Sequence, residues 1–82
     1  AGCMVVEVRL YATLREHSPP GSPNGIFSAT IPSGADLSAL LSSLAIDPAK
    51  VHLRMVNGVS AELGRILREN DRIGLFPPVG GG

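Results

Sequence analysis

LSALLSSL, residues Leu37–Leu44, places Leu37, Leu40, Leu41 and Leu44 at i, i+3, i+4 and i+7, the spacing of one apolar stripe on an α-helix. Ser33 or Asp36 stands where an N-cap would accept a hydrogen bond from the first turn. A stripe of four leucines must be covered, and in a chain of 82 residues with a single strong helical pattern the partner is a sheet face.

Outward from the helix, the flanking segments supply that sheet. Upstream, GIFSATIP (Gly25–Pro32) alternates with Phe27, Ala29 and Ile31 on one side. MVVEVRLY (Met4–Tyr11) alternates Val6, Val8 and Leu10 against Glu7 and Arg9. A period of two is that of strands with one buried face. Between them HSPPGSPNG, His17–Gly25, holds three of the seven prolines and two glycines and predicts a long loop joining a hairpin. Its role toward any partner is open.

Downstream, Asp47-Pro48 suits a capped single helical turn, and Val51–Val56 reads as a third strand that places His52 within it. Asn57-Gly58 is a tight-turn signal, followed by a short strand near Val59–Ala61. Leu63, Ile66 and Leu67 predict an irregular or single-turn segment packed on the core, since Gly64 weakens a longer helix. Asn70-Asp71 marks another turn, and Arg72–Phe76 a last strand. The expected fold is α+β: a β-grasp roll with a mixed sheet of four to five strands and one main helix on one face. Residues 1–82 form a single domain, with 77–82 as a projecting C-terminal tail.

Composition narrows the function. A chain this short buries only about 60 to 68% of its unfolded surface, so stability rests on one core, here of Leu, Val, Ile and Ala, because the sequence has two Phe, one Tyr and no Trp. Seven basic and seven acidic residues give zero formal charge, with no basic stripe to track phosphates, so nucleic acid is not the expected partner. No apolar run reaches the roughly 20 residues of a bilayer crossing, and no signal-peptide pattern opens the chain. A soluble, cytoplasmic protein is expected. Ala1-Gly2-Cys3 ahead of Met4 read as a leftover of expression, with Met4 the native start. A lone Cys3 at a mobile terminus has no disulfide partner and no expected structural role.

Conventional chemistry finds little material. His17 and His52 have no companions at metal-ligand spacing, so no metal site is expected; His17 reads as a solvated loop residue. Ser38, Ser42 and Ser43 lie on the polar side of the helix without an activating base. Gly58 and Gly64 lack the spacing and lysine of a phosphate loop. What remains is the end, LFPPVGGG (Leu75–Gly82). Pro77 and Pro78 stop the last strand and extend the backbone. Gly80, Gly81 and Gly82 then carry no side chain, so the terminal carboxylate can enter a channel too narrow for any Cβ.

The tail FPPVGGG, with Val56-Asn57-Gly58, the spacing to Asn70-Asp71-Arg72 and the element order, resembles the MoaD/ThiS family of ubiquitin-like sulfur carriers over about Val5–Gly82, most nearly its MoaD branch. That resemblance implies a carrier, non-catalytic alone, that serves as the sulfur-donating small subunit of a molybdopterin synthase. A MoeB-like activating enzyme would use ATP to adenylate Gly82. A sulfur donor would convert it to a thiocarboxylate, and a MoaE-like large subunit would receive the tail for sulfur transfer to cyclic pyranopterin monophosphate. By the same resemblance Gly82 is the reactive carboxylate, Gly81 the slender link behind it, and Phe76, Pro77, Pro78, Val79 and Gly80 the partner-binding segment. No cofactor is expected on the chain itself. Two other readings share the activation chemistry: a ThiS-like carrier for thiamine thiazole synthesis, and a ubiquitin-like modifier conjugated through Gly82.

Overall fold

The computed structural model describes residues 2–22 and 24–78. Its strands are β1 (Cys3–Leu10), β2 (Ile26–Pro32), β3 (Leu53–Val56), β4 (Val59–Ser60) and β5 (Arg72–Phe76), joined in one sheet of order β2-β1-β5-β3-β4. β1 and β2 form the expected antiparallel hairpin, from Cys3↔Pro32 to Arg9↔Ile26. β5 lies parallel to β1, from Glu7↔Arg72 to Leu10↔Leu75, and antiparallel to β3. The last strand is therefore central.

Alternation decides which side chains face inward. Met4, Val6, Val8 and Leu10 of β1, Val56 of β3, and Ile73 and Leu75 of β5 are buried against Leu37, Leu40 and Leu41 of α1 (Leu37–Ser43). One helix over one face of a mixed five-stranded sheet is the β-grasp arrangement the sequence predicts.

A seven-residue helix is too short to hold itself in water, and its ends show how it is held. Asp36, rather than Ser33, is the cap, its Oδ1 accepting from Ala39 N at 2.9 Å. Leu37 N and Ser38 N donate to the carbonyls of Arg65 and Leu63, each at 3.0 Å. The irregular segment around Leu63–Leu67 thus satisfies donors that every helix start leaves open. At the other end Ala45 takes φ 58° and Ile46 N returns to Leu41 O at 2.9 Å, a left-handed stop. Asp47 caps the turn Pro48–Lys50 as expected.

The structure corrects several sequence readings. Cys3 is not in a loose end: it opens β1 opposite Pro32, and Ser33 N donates to Gly2 O at 2.9 Å. A 3-10 helix, Ala12–His17, precedes the proline-rich loop, and His17 closes it instead of lying in the loop. Its single apolar anchor, buried Leu14, is too little to show a period. His52 lies just outside β3, where its N–H clasps Phe76 O at 2.8 Å.

One polar contact sets the register of the central strand. Asp71, the buried charged residue of the described chain, accepts from Asn57 Nδ2 and from Arg68 N, both at 2.8 Å. Asn57 in turn accepts from Arg72 N at 2.9 Å and donates its own N–H to Arg72 O at 2.8 Å. Asn57 adopts φ 54°, a conformation that Asn tolerates better than most residues. The β3–β4 turn and the approach to β5 are thereby latched together.

Candidate functional site: the tail base and the open sheet face

β5 alternates Ile73 and Leu75 into the core with Arg72, Gly74 and Phe76 on the uncovered face. Phe76 is held from two sides. Its ring stacks on Tyr11, centroids 4.2 Å apart and planes 5° from parallel, while its carbonyl accepts from His52 N at 2.8 Å. Tyr11 N donates to Leu75 O at 3.2 Å, so the residue after β1 is tied to the same point. Pro77 is half-buried and Pro78 exposed. Neither has an N–H to continue the ladder, and the strand ends at Phe76.

Gly74 leaves a gap beside these stacked rings. A Cβ placed there would lie 3.5 Å from Phe76 Cε1, 3.7 Å from Tyr11 Cε2 and 3.8 Å from Met55 Cβ. Without one, a shallow depression of about 280 Å³ opens, lined by Arg9, Tyr11, Met55, Arg72, Gly74 and Phe76 among others. Arg9 Nε donates to the Glu7 carboxylate at its rim. That hydrogen bond, and then the charge of Glu7, raise the pKa of the Arg9 guanidinium, so it is a fixed positive charge. Leu53, opposite Phe76 in the register, extends the apolar surface. An aromatic and aliphatic floor ringed by charges is the form of a protein-docking surface.

Of the sequence-predicted site residues, the structure places Phe76, Pro77 and Pro78 together at the end of the central strand, beside this depression. Val79, Gly80, Gly81 and Gly82 lie outside the described residues. Sequence reasoning missed Tyr11, Leu53, Met55 and Gly74 as companions of Phe76, because they come from three separate segments. Gly74 carried a signal, since a glycine inside a strand marks close approach of something else. Among the described residues no three His, Cys, Asp or Glu side chains gather as a metal centre would require. No described helix is long and apolar enough to cross a membrane.

The family model described as the ThiS family matches residues 8–82. The chain belongs to the ThiS family. Comparison with curated proteins returns no match, but solved structures share the fold of this ThiS-family chain. The Haloferax volcanii HVO 2177 protein is 26% identical with a TM-score of 0.75, over 99% of this chain and 89% of that one. Small archaeal modifier protein 1 of H. volcanii is 21% identical with a TM-score of 0.73, over 93% and 99%. In the complex of subunits 1 and 2 of the molybdopterin-converting factor from Helicobacter pylori, the similar chain is 26% identical with a TM-score of 0.61, over 96% and 100%. The fold is that of the ThiS and MoaD kind of ubiquitin-like sulfur carrier. Small archaeal modifier protein 1 and the H. pylori complex carry different functional names on it.

Proposed function

We propose that this chain is a sulfur carrier and the small subunit of a molybdopterin synthase, working through the carboxylate of Gly82. The observation that carries the reading is the anchored base of the tail. Phe76 is stacked on Tyr11 and clasped by His52, and Pro77-Pro78 follow at once, ahead of Val79-Gly80-Gly81-Gly82. A firm base lets the docking energy of the open face be used to position a thread that has little of its own. Pre-positioning is worth more than added contacts, because ordering a free thread costs entropy.

Activation follows from carboxylate chemistry. Carboxylate oxygen is a poor leaving group, so a MoeB-like enzyme joins it to the α-phosphate of ATP and releases pyrophosphate. A donor that delivers sulfur at the sulfide level, as hydrosulfide, then attacks the acyl carbon, AMP leaves with the C–O bond that breaks, and a thiocarboxylate remains. A MoaE-like large subunit receives the tail, holds cyclic pyranopterin monophosphate, and supplies the acid and base groups. The H. pylori complex of subunits 1 and 2 supports a larger partner, and the Phe-Pro-Pro step supports the molybdopterin branch over the thiamine branch. We further assign the chain to the cytoplasm, as one domain, and with no resident cofactor.

Two measurements on protein from the native host test the reading. Intact mass should show the gain of sulfur for oxygen at an otherwise unmodified C-terminus, and the co-purifying protein should be of the large-subunit type. Deleting Gly81 and Gly82 should leave folding intact and abolish complementation of a cofactor-deficient strain. A ladder of lysine conjugates cleavable at Gly82 would instead establish the modifier reading, and a thiazole synthase as the captured partner would establish the thiamine reading.

A further inference from the structure

β2 is a free sheet edge, and its chemistry singles it out. The other edge, β4, is only two residues long. In the β1–β2 ladder, Val5 and Glu7 turn their N–H groups away from β2, donating to Glu69 and Asp71. The pairs that bond across the hairpin are therefore Met4↔Ile31, Val6↔Ala29 and Val8↔Phe27. It follows that Ile26, Ser28 and Thr30 direct their backbone groups outward, where Ile26 N is taken by Asn24 Oδ1 at 3.1 Å and Ser28 and Thr30 have no ladder partner. Pro32 falls on the same outward set, where its missing N–H costs nothing.

Sheet edges are ordinarily protected by charge, a bulge or brevity. β2 has none of these along Ile26–Thr30: residues 25–35 contain no Asp, Glu, Lys or Arg, and the register with β1 is unbroken over seven pairs. Beside it, between β2 and the end of α1, runs a groove lined by His17, Pro19, Phe27, Ala29, Ser43 and Leu44.

We propose that β2 is a self-association edge, pairing antiparallel with β2 of a second copy about a two-fold axis at Ser28. Only the outward residues need bond in that register. Ser28 meets Ser28 and Ile26 meets Thr30, giving four new hydrogen bonds with Ile26 N left on Asn24. The side chains match by size as well. On the helix side Phe27 falls opposite the partner's Ala29 beside the groove, and on the open side Ile26 falls opposite the partner's Thr30, a β-branched pair that packs well across strands. No charge opposes the meeting of identical edges, and the chain has zero formal charge, so long-range repulsion is absent. β1 separates β2 from β5, which keeps both tail bases free, and the two-fold sends them to opposite ends of a ten-stranded sheet.

One strand-to-strand contact buries less than the roughly 1,200–2,000 Å² of a standard stable interface, so the dimer is weak, with Kd of about 0.1–1 mM. The test is sedimentation equilibrium of the full chain, with amide chemical shifts followed on dilution from about 2 mM to about 20 µM. Expected are a monomer–dimer equilibrium and concentration-dependent amide shifts concentrated at Ser28 and Thr30. Ser28→Lys, which sets two like charges on the axis, and Thr30→Pro, which removes an outward N–H, should each weaken association at least tenfold with the dispersed spectrum of the fold retained. Ser28→Lys decides alone if the proline variant unfolds. A monomer at every concentration overturns the proposal. So does a dimer that Ser28→Lys leaves unchanged, or one whose shifts map to Arg9, Gly74 and Phe76. A chain that stays monomeric but binds extended peptides along β2 likewise overturns it.

Discussion

Replacing Asp71 by Ala removes the acceptor of two hydrogen bonds, from Asn57 Nδ2 and Arg68 N. Bonds to a charged acceptor contribute about 1.5–3 kcal/mol each. They are not additive, and loss of the buried charge itself offsets part of the cost, so the expected destabilisation is about 2–4 kcal/mol. For a domain of this size each kcal/mol moves Tm by roughly 4–8 °C, a fall well outside experimental error. Asp71→Asn should be no milder. Its amide would present a donor to a donor, and rotating Asn57 to compensate would give up the bond from Arg72 N. Urea denaturation of Asp71→Ala, Asn57→Gly and the double variant isolates the pair, because glycine keeps the positive φ at position 57. The coupling energy should lie at about 1–2 kcal/mol. A loss below about 0.5 kcal/mol for Asp71→Ala, or a coupling near zero, would refute the claim that this pair latches β5 in place.

Gly74→Ala separates docking from stability. The new Cβ meets its neighbours at 3.5–3.8 Å, ordinary contact, and relieves the strand of a glycine, so thermal unfolding should show equal or higher stability, by about 0.5–1 kcal/mol. Titration against the purified large subunit should show weaker binding, and unchanged affinity would remove the depression from the docking surface. Phe76→Ala loses the stack on Tyr11, worth about 0.5–1.5 kcal/mol beyond buried area, and should lower both Tm and the rate of Gly82 adenylation. A variant adenylated at the normal rate would show that the base of the tail needs no anchoring. Gly25→Ala should be far costlier than Gly74→Ala. Its Cβ would fall 2.4 Å from Leu10 O, at φ +83°, so circular dichroism should report severe loss of structure; a fully folded variant would contradict so close an approach of loop and strand.

Much of this architecture was legible in advance, for reasons that differ by element. β1, β2 and α1 announce themselves through strict alternation and a leucine stripe, because each has one face in the core. The turn at Asn57-Gly58 and the cap at Asp47-Pro48 rest on backbone geometry that few residues accept. Pairing is another matter: alternation tells which face of β5 is buried and says nothing of β1 as its neighbour. The 3-10 helix Ala12–His17 escaped notice because it begins at a left-handed Ala12, φ 52°, and buries one side chain. Phe76, Pro77 and Pro78 are expected as partner-binding residues through the resemblance that the tail carries, whereas Tyr11, Leu53, Met55 and Gly74 lie beside Phe76 only once three strands are side by side. Asn57 and Asp71 enter the reading as turn residues and again as spacing within a resemblance, and what joins them is the latch between the two turns.

The first and last strands lie side by side in the middle of the sheet, which has a consequence during synthesis. Until Phe76 has been made, the nascent polypeptide lacks its central strand, so β3 and β4 have nothing to join and the hairpin has nothing to lean on. Pairings between distant parts of a chain form slowly and late. A truncated product therefore cannot imitate the finished fold, because the strand made last is the one that both halves of the sheet require.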